Sequence, residues 1–230
     1  MTTKLFRISY LSIVVAVAAV TAGAAGPTTA QAPPPDVAPQ EFARRVQDRI
    51  NAIDDFSADF VQTYQGGALR KRATERGRVQ IKKPGRMRWT YTAPEEKLFV
   101  ADGRKMYFWV PADKQVVVRD VPPDDQAATP VLFLTGKGQL ARDFTVSYTT
   151  VEQAPAGTVA LKLVPRRQER DYDWLTLVVD RSSLALRMLV AGDSAGGVST
   201  FSFSNLEENT GLPDGSFTFK VPRGADVVTQ

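Results

Sequence analysis

Residues 79–118 constrain this chain most. They read as four apolar-alternating runs, punctuated by Lys83-Pro84-Gly85, Ala93-Pro94-Glu95, Asp102-Gly103 and Pro111-Ala112-Asp113. Alternation of period two between turn residues is the pattern of antiparallel strands with one dry face. In the first hairpin Met87, Trp89 and Tyr91 share a face, and Arg86, Arg88 and Thr90 share the other. The next runs add Leu98, Val100, Met106, Phe108 and Val110 to a large, aromatic apolar surface that carries no catalytic group.

The same punctuation continues on both sides. Phe42, Val46, Ile50 and Ile53 recur at helical spacing among charged residues, which predicts an amphipathic helix. Phe56, Ala58, Phe60, Gln62 and Tyr64 then alternate as a strand, and residues 73–82 return. Further strands are expected at 144–151, 158–164, 174–179, 184–191, 198–204 and 217–221. Short, evenly spaced strands argue for a single large antiparallel sheet or barrel.

One segment breaks the strand rhythm. Thr129 and Pro130 form a helix start, and Gly136 stands just past the stop. Between them Val131, Leu132, Phe133 and Leu134 are apolar all round, so a single buried face does not satisfy them. Two readings stand: a plug packed in the core, or a lid over an apolar cavity hinged at glycines.

The first 25 residues read as a cleaved secretory signal. Lys4 and Arg7 precede an apolar run from Ile8 to Val20, with small residues at Ala22-Gly23-Ala24. Residues 26–39 are rich in Pro, Ala and Thr and read as a linker, leaving 40–230 as one domain. The formal charge of +4 includes Lys4 and Arg7 and falls to about +2 without them, too near balance for a nucleic-acid binder by bulk charge. The chain has no cysteine and no histidine. That excludes Cys-His and Ser-His-Asp chemistry, the usual zinc ligand sets and a lipidated N-terminal cysteine. Adjacent acid pairs such as Asp54-Asp55 and Glu207-Glu208 point to opposite faces of a strand, so they form no acid/base couple.

The order of these elements resembles a known family. The stretch Phe56 to Thr63, then Lys83-Pro84-Gly85-Arg86-Met87-Arg88-Trp89, Asp102-Gly103, Thr129-Pro130 and Leu212-Pro213-Asp214 are similar to the periplasmic outer-membrane lipoprotein carriers (LolA-like). The resemblance implies an incomplete, strongly curved antiparallel barrel with short helices as a lid over an apolar cavity. It implies no reaction and no cofactor. It implies a monomeric periplasmic chaperone that takes acylated lipoproteins from an inner-membrane ATP-driven releasing complex and passes them to an outer-membrane acceptor. Another lipid-binding or lipid-sensing module of the same fold is the alternative.

Under this resemblance Phe60, Met87, Trp89, Tyr91, Phe99, Met106 and Phe108 are the candidate cavity walls, soft and wide enough for acyl chains. Ordinary barrel core is the competing reading for each of them. In the family an arginine before the turn proline clamps the lid through backbone carbonyls. Lys83 stands there, so the expected clamp is Lys83 with Arg86 and Arg88.

Overall fold

The computed structural model describes residues 36–66, 72–121, 138–169 and 172–229. Among these residues twelve strands form one open sheet, in the order β12-β6-β5-β4-β3-β2-β1-β11-β10-β9-β8-β7. The first meander comprises β1 (Asp55–Gln65), β2 (Arg72–Lys82), β3 (Arg86–Ala93), β4 (Lys97–Asp102), β5 (Lys105–Val110) and β6 (Gln115–Asp120). The second comprises β7 (Phe144–Thr149), β8 (Thr158–Pro165), β9 (Trp174–Asp180), β10 (Leu186–Gly192) and β11 (Val198–Glu208). Antiparallel pairing of β1 with β11 joins the two meanders. A short last strand, β12 (Asp226–Thr229), adds to the β6 edge in parallel, a departure from the wholly antiparallel sheet expected.

Turn chemistry fixes the hairpins. At the β4–β5 turn, Asp102 Oδ1 accepts the backbone N–H groups of Arg104 and Lys105, both at 2.8 Å, and Gly103 takes φ +96°. An aspartate that bonds its own turn, followed by a residue free to adopt positive φ, is what this connection needs.

The sheet curls over one core. Inward residues of β1–β4 and of β7–β11 belong to a single apolar cluster, which also takes in α1 (Pro39–Asn51). Phe42, Ala43, Val46 and Ile50 of α1 are buried in it, and the Phe42 and Tyr148 rings lie 6.0 Å apart. The predicted amphipathic face is therefore the face that packs. A one-turn helix, α2 (Leu140–Asp143), abuts α1, and the Leu140 N–H donates to Gln47 Oε1 at 2.9 Å.

The strand expected at 217–221 is absent. Asp214–Phe217 form a 3-10 turn, and the chain then runs without a ladder, through a turn at Arg223-Gly224, until β12. The segment is tied to the outer face of the first meander by side chains. Lys82 Nζ donates to Leu212 O (2.7 Å) and Asp214 Oδ1 (2.6 Å), Arg86 to Asp214 Oδ1 (2.9 Å) and Arg88 to Ser216 O (3.3 Å). Phe217 is buried while Val221 is exposed. Alternation reports an extended chain with a dry and a wet side, and here the dry side lies on a sheet instead of in one. On the same outer face Val100, Val116 and Val118 are buried, and the Phe219 ring lies 5.2 Å from that of Tyr107.

Candidate functional site

Three cross-strand rows build the inner face of the first meander. One runs Phe203, Phe60, Gly77, Tyr91, Lys97. The next runs Ala58, Val79, Trp89, Phe99, Phe108, Val117. The third runs Phe56, Ile81, Met87, Ala101, Met106, Arg119. All seven candidate wall residues stand in these rows, on one face. Leu98 and Val100 do not, because they pair with Trp109 and Tyr107 on the outer side. Their place in the apolar surface read from the sequence is corrected by the pleat: neighbours of Phe99 must face away from it.

The rows grade from closed to open. Phe60, Met87 and Trp89 are buried, whereas Tyr91, Phe99, Met106 and Phe108 are only partly so. At the closed end the rings interlock edge to face, with Phe60–Trp89 at 4.9 Å, Phe60–Tyr91 at 5.0 Å and Trp89–Phe201 at 5.4 Å. Each such contact contributes about 0.5–1.5 kcal/mol beyond area burial. Gly77 permits this arrangement, since a Cβ there would lie 1.9 Å from Thr90 O and 2.9 Å from the Phe60 ring. Phe201 and Phe203, from β11, complete the aromatic floor. The alternation at 198–204 exposed them, but only β1–β11 pairing places them beside Phe60.

Lys83 reaches backbone carbonyls, but those of α1. Its Nζ donates to Ile50 O, and to Asn51 O at 3.3 Å. These carbonyls stand at the helix C-terminus, where a cation is favoured; Ile50 O also accepts the Ile53 N–H at 3.1 Å. Burial pulls the Lys83 ammonium below its ordinary range, and the nearby Asp54 carboxylate opposes that shift. Arg86 and Arg88 face outward and are engaged by the 214–216 segment, so among the described residues Lys83 is the one expected clamp residue that touches a helix covering the core. Val131, Leu132, Phe133 and Leu134 lie outside the described residues, as do the signal and most of the linker.

Beside Lys83, a cleft opens under the end of α1, with an empty space of about 450 Å³ counted out to open solvent. Ile50, Ile53, Phe56, Ile81, Leu184 and Leu206 make its walls, and an ion pair between Arg49 and Glu208 stands at its rim. Asp55, part of an acidic pair in the sequence, is a structural anchor. Its buried carboxylate accepts the N–H groups of Thr210 (3.0 Å), Gly211 (3.0 Å) and Leu212 (3.2 Å) and the Thr210 hydroxyl (3.2 Å). A polar group also interrupts the inner face. Lys97 pairs with Glu75, its Nζ lies 5.6 Å from the Tyr91 ring centroid, and Tyr91 OH donates to Gln62 Oε1 at 3.1 Å. Burial, reinforced by the Glu75 carboxylate, holds the Tyr91 hydroxyl far above its ordinary range.

Among the described residues no cluster of acidic, histidine or cysteine side chains has the geometry of a metal site, and no helix is long and apolar enough to cross a membrane. The arrangement can hold hydrocarbon against a curved aromatic wall under a tethered helix. That defines a class: half-barrels with an apolar inner face. The comparisons name the family. The model described as "Outer membrane lipoprotein carrier protein LolA" matches residues 51–220, and this chain belongs to that family.

The outer-membrane lipoprotein carrier protein of Nitrosomonas europaea is 31% identical over 181 residues, covering 78% of this chain and 84% of the relative. That of Chromobacterium violaceum is 29% identical over 213 residues, covering 92% and 94%. An uncharacterized conserved protein of Thermus thermophilus shares the fold with a TM-score of 0.50 at 17% identity, over 82% of this chain and 99% of that one. The family is one of carriers, not of enzymes.

Proposed function

We propose that this chain is a periplasmic carrier that shields the acyl chains of lipoproteins between an inner-membrane releasing complex and an outer-membrane acceptor. Family membership supports the cargo class, and one observation carries the mechanism: the graded inner face, closed at Phe60 and Trp89 and half open at Phe99, Met106 and Phe108. Each methylene removed from water is worth about 0.8 kcal/mol, so a long acyl chain needs a cover worth on the order of ten kcal/mol. A ferry must also let go. Aromatic and methionine side chains give a wide, deformable wall that binds without a single fixed fit. Helix α1 is held by its buried Phe42, Ala43, Val46 and Ile50, and at its C-terminal end also by Lys83 and by Arg49 with Glu208; these polar ties open at smaller cost than the apolar packing.

The test is a two-step transfer assay. Membrane vesicles carrying the releasing complex and a triacylated lipoprotein should lose that lipoprotein to the added protein in an ATP-dependent step. The soluble complex should then yield it to an outer-membrane acceptor. Release of phospholipid alone, with no lipoprotein, would make the chain a general lipid binder and sink the carrier reading.

A further inference from the structure

The polar group on the inner face has no evident structural purpose. The side chains of Lys97 and Glu75 are 9% and 15% exposed, and Gln62 beside them is buried. Removing two charges from water costs as much as their attraction returns, and apolar residues of the same size commonly serve stability as well or better. Yet the pair sits on a face whose rows are mainly apolar, with Gln62 beside it and Arg119 at the far end of the third row. Lys97 and Phe99 are alternate residues of β4, so the ammonium stem rises about 7 Å along the strand from the Trp89–Phe99–Phe108 row.

Its chemistry limits the ligand. An ammonium has three donors, and among the described residues Glu75 is the one hydrogen-bond acceptor of Lys97. Spare donors therefore remain beside the apolar rows. The Glu75 carboxylate cancels the charge, so the site has no net attraction for a phosphate or a free carboxylate. It fits an uncharged acceptor. Tyr91 fixes the pair from beneath, through its ring under Lys97 and its hydroxyl on Gln62.

We infer that Lys97, held by Glu75, is the polar end of the acyl-chain site and donates to the ester carbonyl oxygens that join acyl chains to a glyceryl head. This rests on the lipid-carrier reading above. Glyceryl esters occur in lipoproteins and in phospholipids, and the site reads what they share.

The experiment compares a synthetic triacyl-cysteinyl peptide with its analogue linked at glycerol through ethers, both below their micellar concentrations, by fluorescence titration of the full protein. Wild type should bind the ester form roughly tenfold tighter, the scale of one hydrogen bond to a charged group. The double variant Glu75→Leu/Lys97→Met should melt within a few degrees of wild type and bind both probes alike, near the wild-type affinity for the ether. A diacyl phosphatidylglycerol and its ether analogue form the second arm. The same tenfold preference there supports shared ester recognition in either lipid; a preference confined to the peptide supports it with lipoprotein as the source. Binding without discrimination by wild type, or discrimination retained by the double variant, overturns the inference and leaves the carrier reading intact. If neither lipid binds, the carrier reading falls and takes this inference with it.

Discussion

Replacing Lys83 by Met removes the donors that hold the C-terminal end of α1 and keeps the apolar stem. The wild-type ammonium bonds Ile50 O and Asn51 O, and no other described side chain is recorded on those two carbonyls. A hydrogen bond to a charged group is worth about 1.5–3 kcal/mol net when buried. Lys83 is only partly buried and the freed carbonyls can bind water, so the loss reduces to about 1 kcal/mol. That is about a fivefold change in a local opening equilibrium. Amide hydrogen exchange followed by mass spectrometry should show residues 46–53 exchanging about five times faster in Lys83→Met, with β8 and β9 unchanged. Helix exchange at the wild-type rate would mean that Lys83 does not hold α1. Equal acceleration in β9 would mean that α1 does not open separately from the sheet, and the tether argument fails with it.

Asp55→Ala should lower unfolding free energy by about 2–4 kcal/mol in urea, because four donors of the 210–212 segment lose one buried acceptor; a loss under about 1 kcal/mol would show that water replaces the carboxylate freely. Acid should destabilise the fold through its carboxylates alone, because the chain has no histidine and its Lys and Arg are already charged. Asp180, bonded by Ser182 and Ser183, and Asp143, bonded by Arg142, both sit below the usual carboxylate range. The unfolded chain therefore takes up protons first, from about pH 4 downward, so stability is flat above about pH 5 and falls as the pH drops below 4. Urea midpoints that stay level from pH 6 to pH 3 would contradict this.

Much of this was legible in the chain because it depends on near neighbours. Alternation placed Met87, Trp89 and Tyr91 on one face, the 3.6-residue period marked the buried stripe of α1, and Asp102-Gly103 announced its turn. What escaped depends on distant pairing. Nothing local distinguishes Phe217 and Phe219 packed on a sheet from the same residues inside one; the difference lies in Lys82, Arg86 and Arg88, some 128 to 132 positions away. Arg86 and Arg88 looked like clamp partners for Lys83 because they share its turn, whereas the pleat turns them to the outer face, onto the 214–216 segment. The Glu75–Lys97 pair was also hidden, for it spans β3 and needs the β2–β3–β4 register to be seen. The sequence marked Asp55 only as one of an acidic pair on opposite strand faces; its anchoring role needs the four backbone and hydroxyl partners of 210–212.

The central claim is that the inner face of the first meander seats acyl chains. A triacylated lipoprotein carrying a photoreactive diazirine near the end of one acyl chain tests it directly. The lipoprotein is loaded, the complex is irradiated, and the cross-linked peptides are mapped by mass spectrometry. The account predicts adducts within residues 86–110, on Met87, Trp89, Phe99, Met106 or Phe108, and in 201–203 of β11. Adducts at the second, separate apolar cluster of Ala160, Val178 and Met188 on the other face of the sheet, or none above the level seen with excess unlabelled lipoprotein, would contradict it.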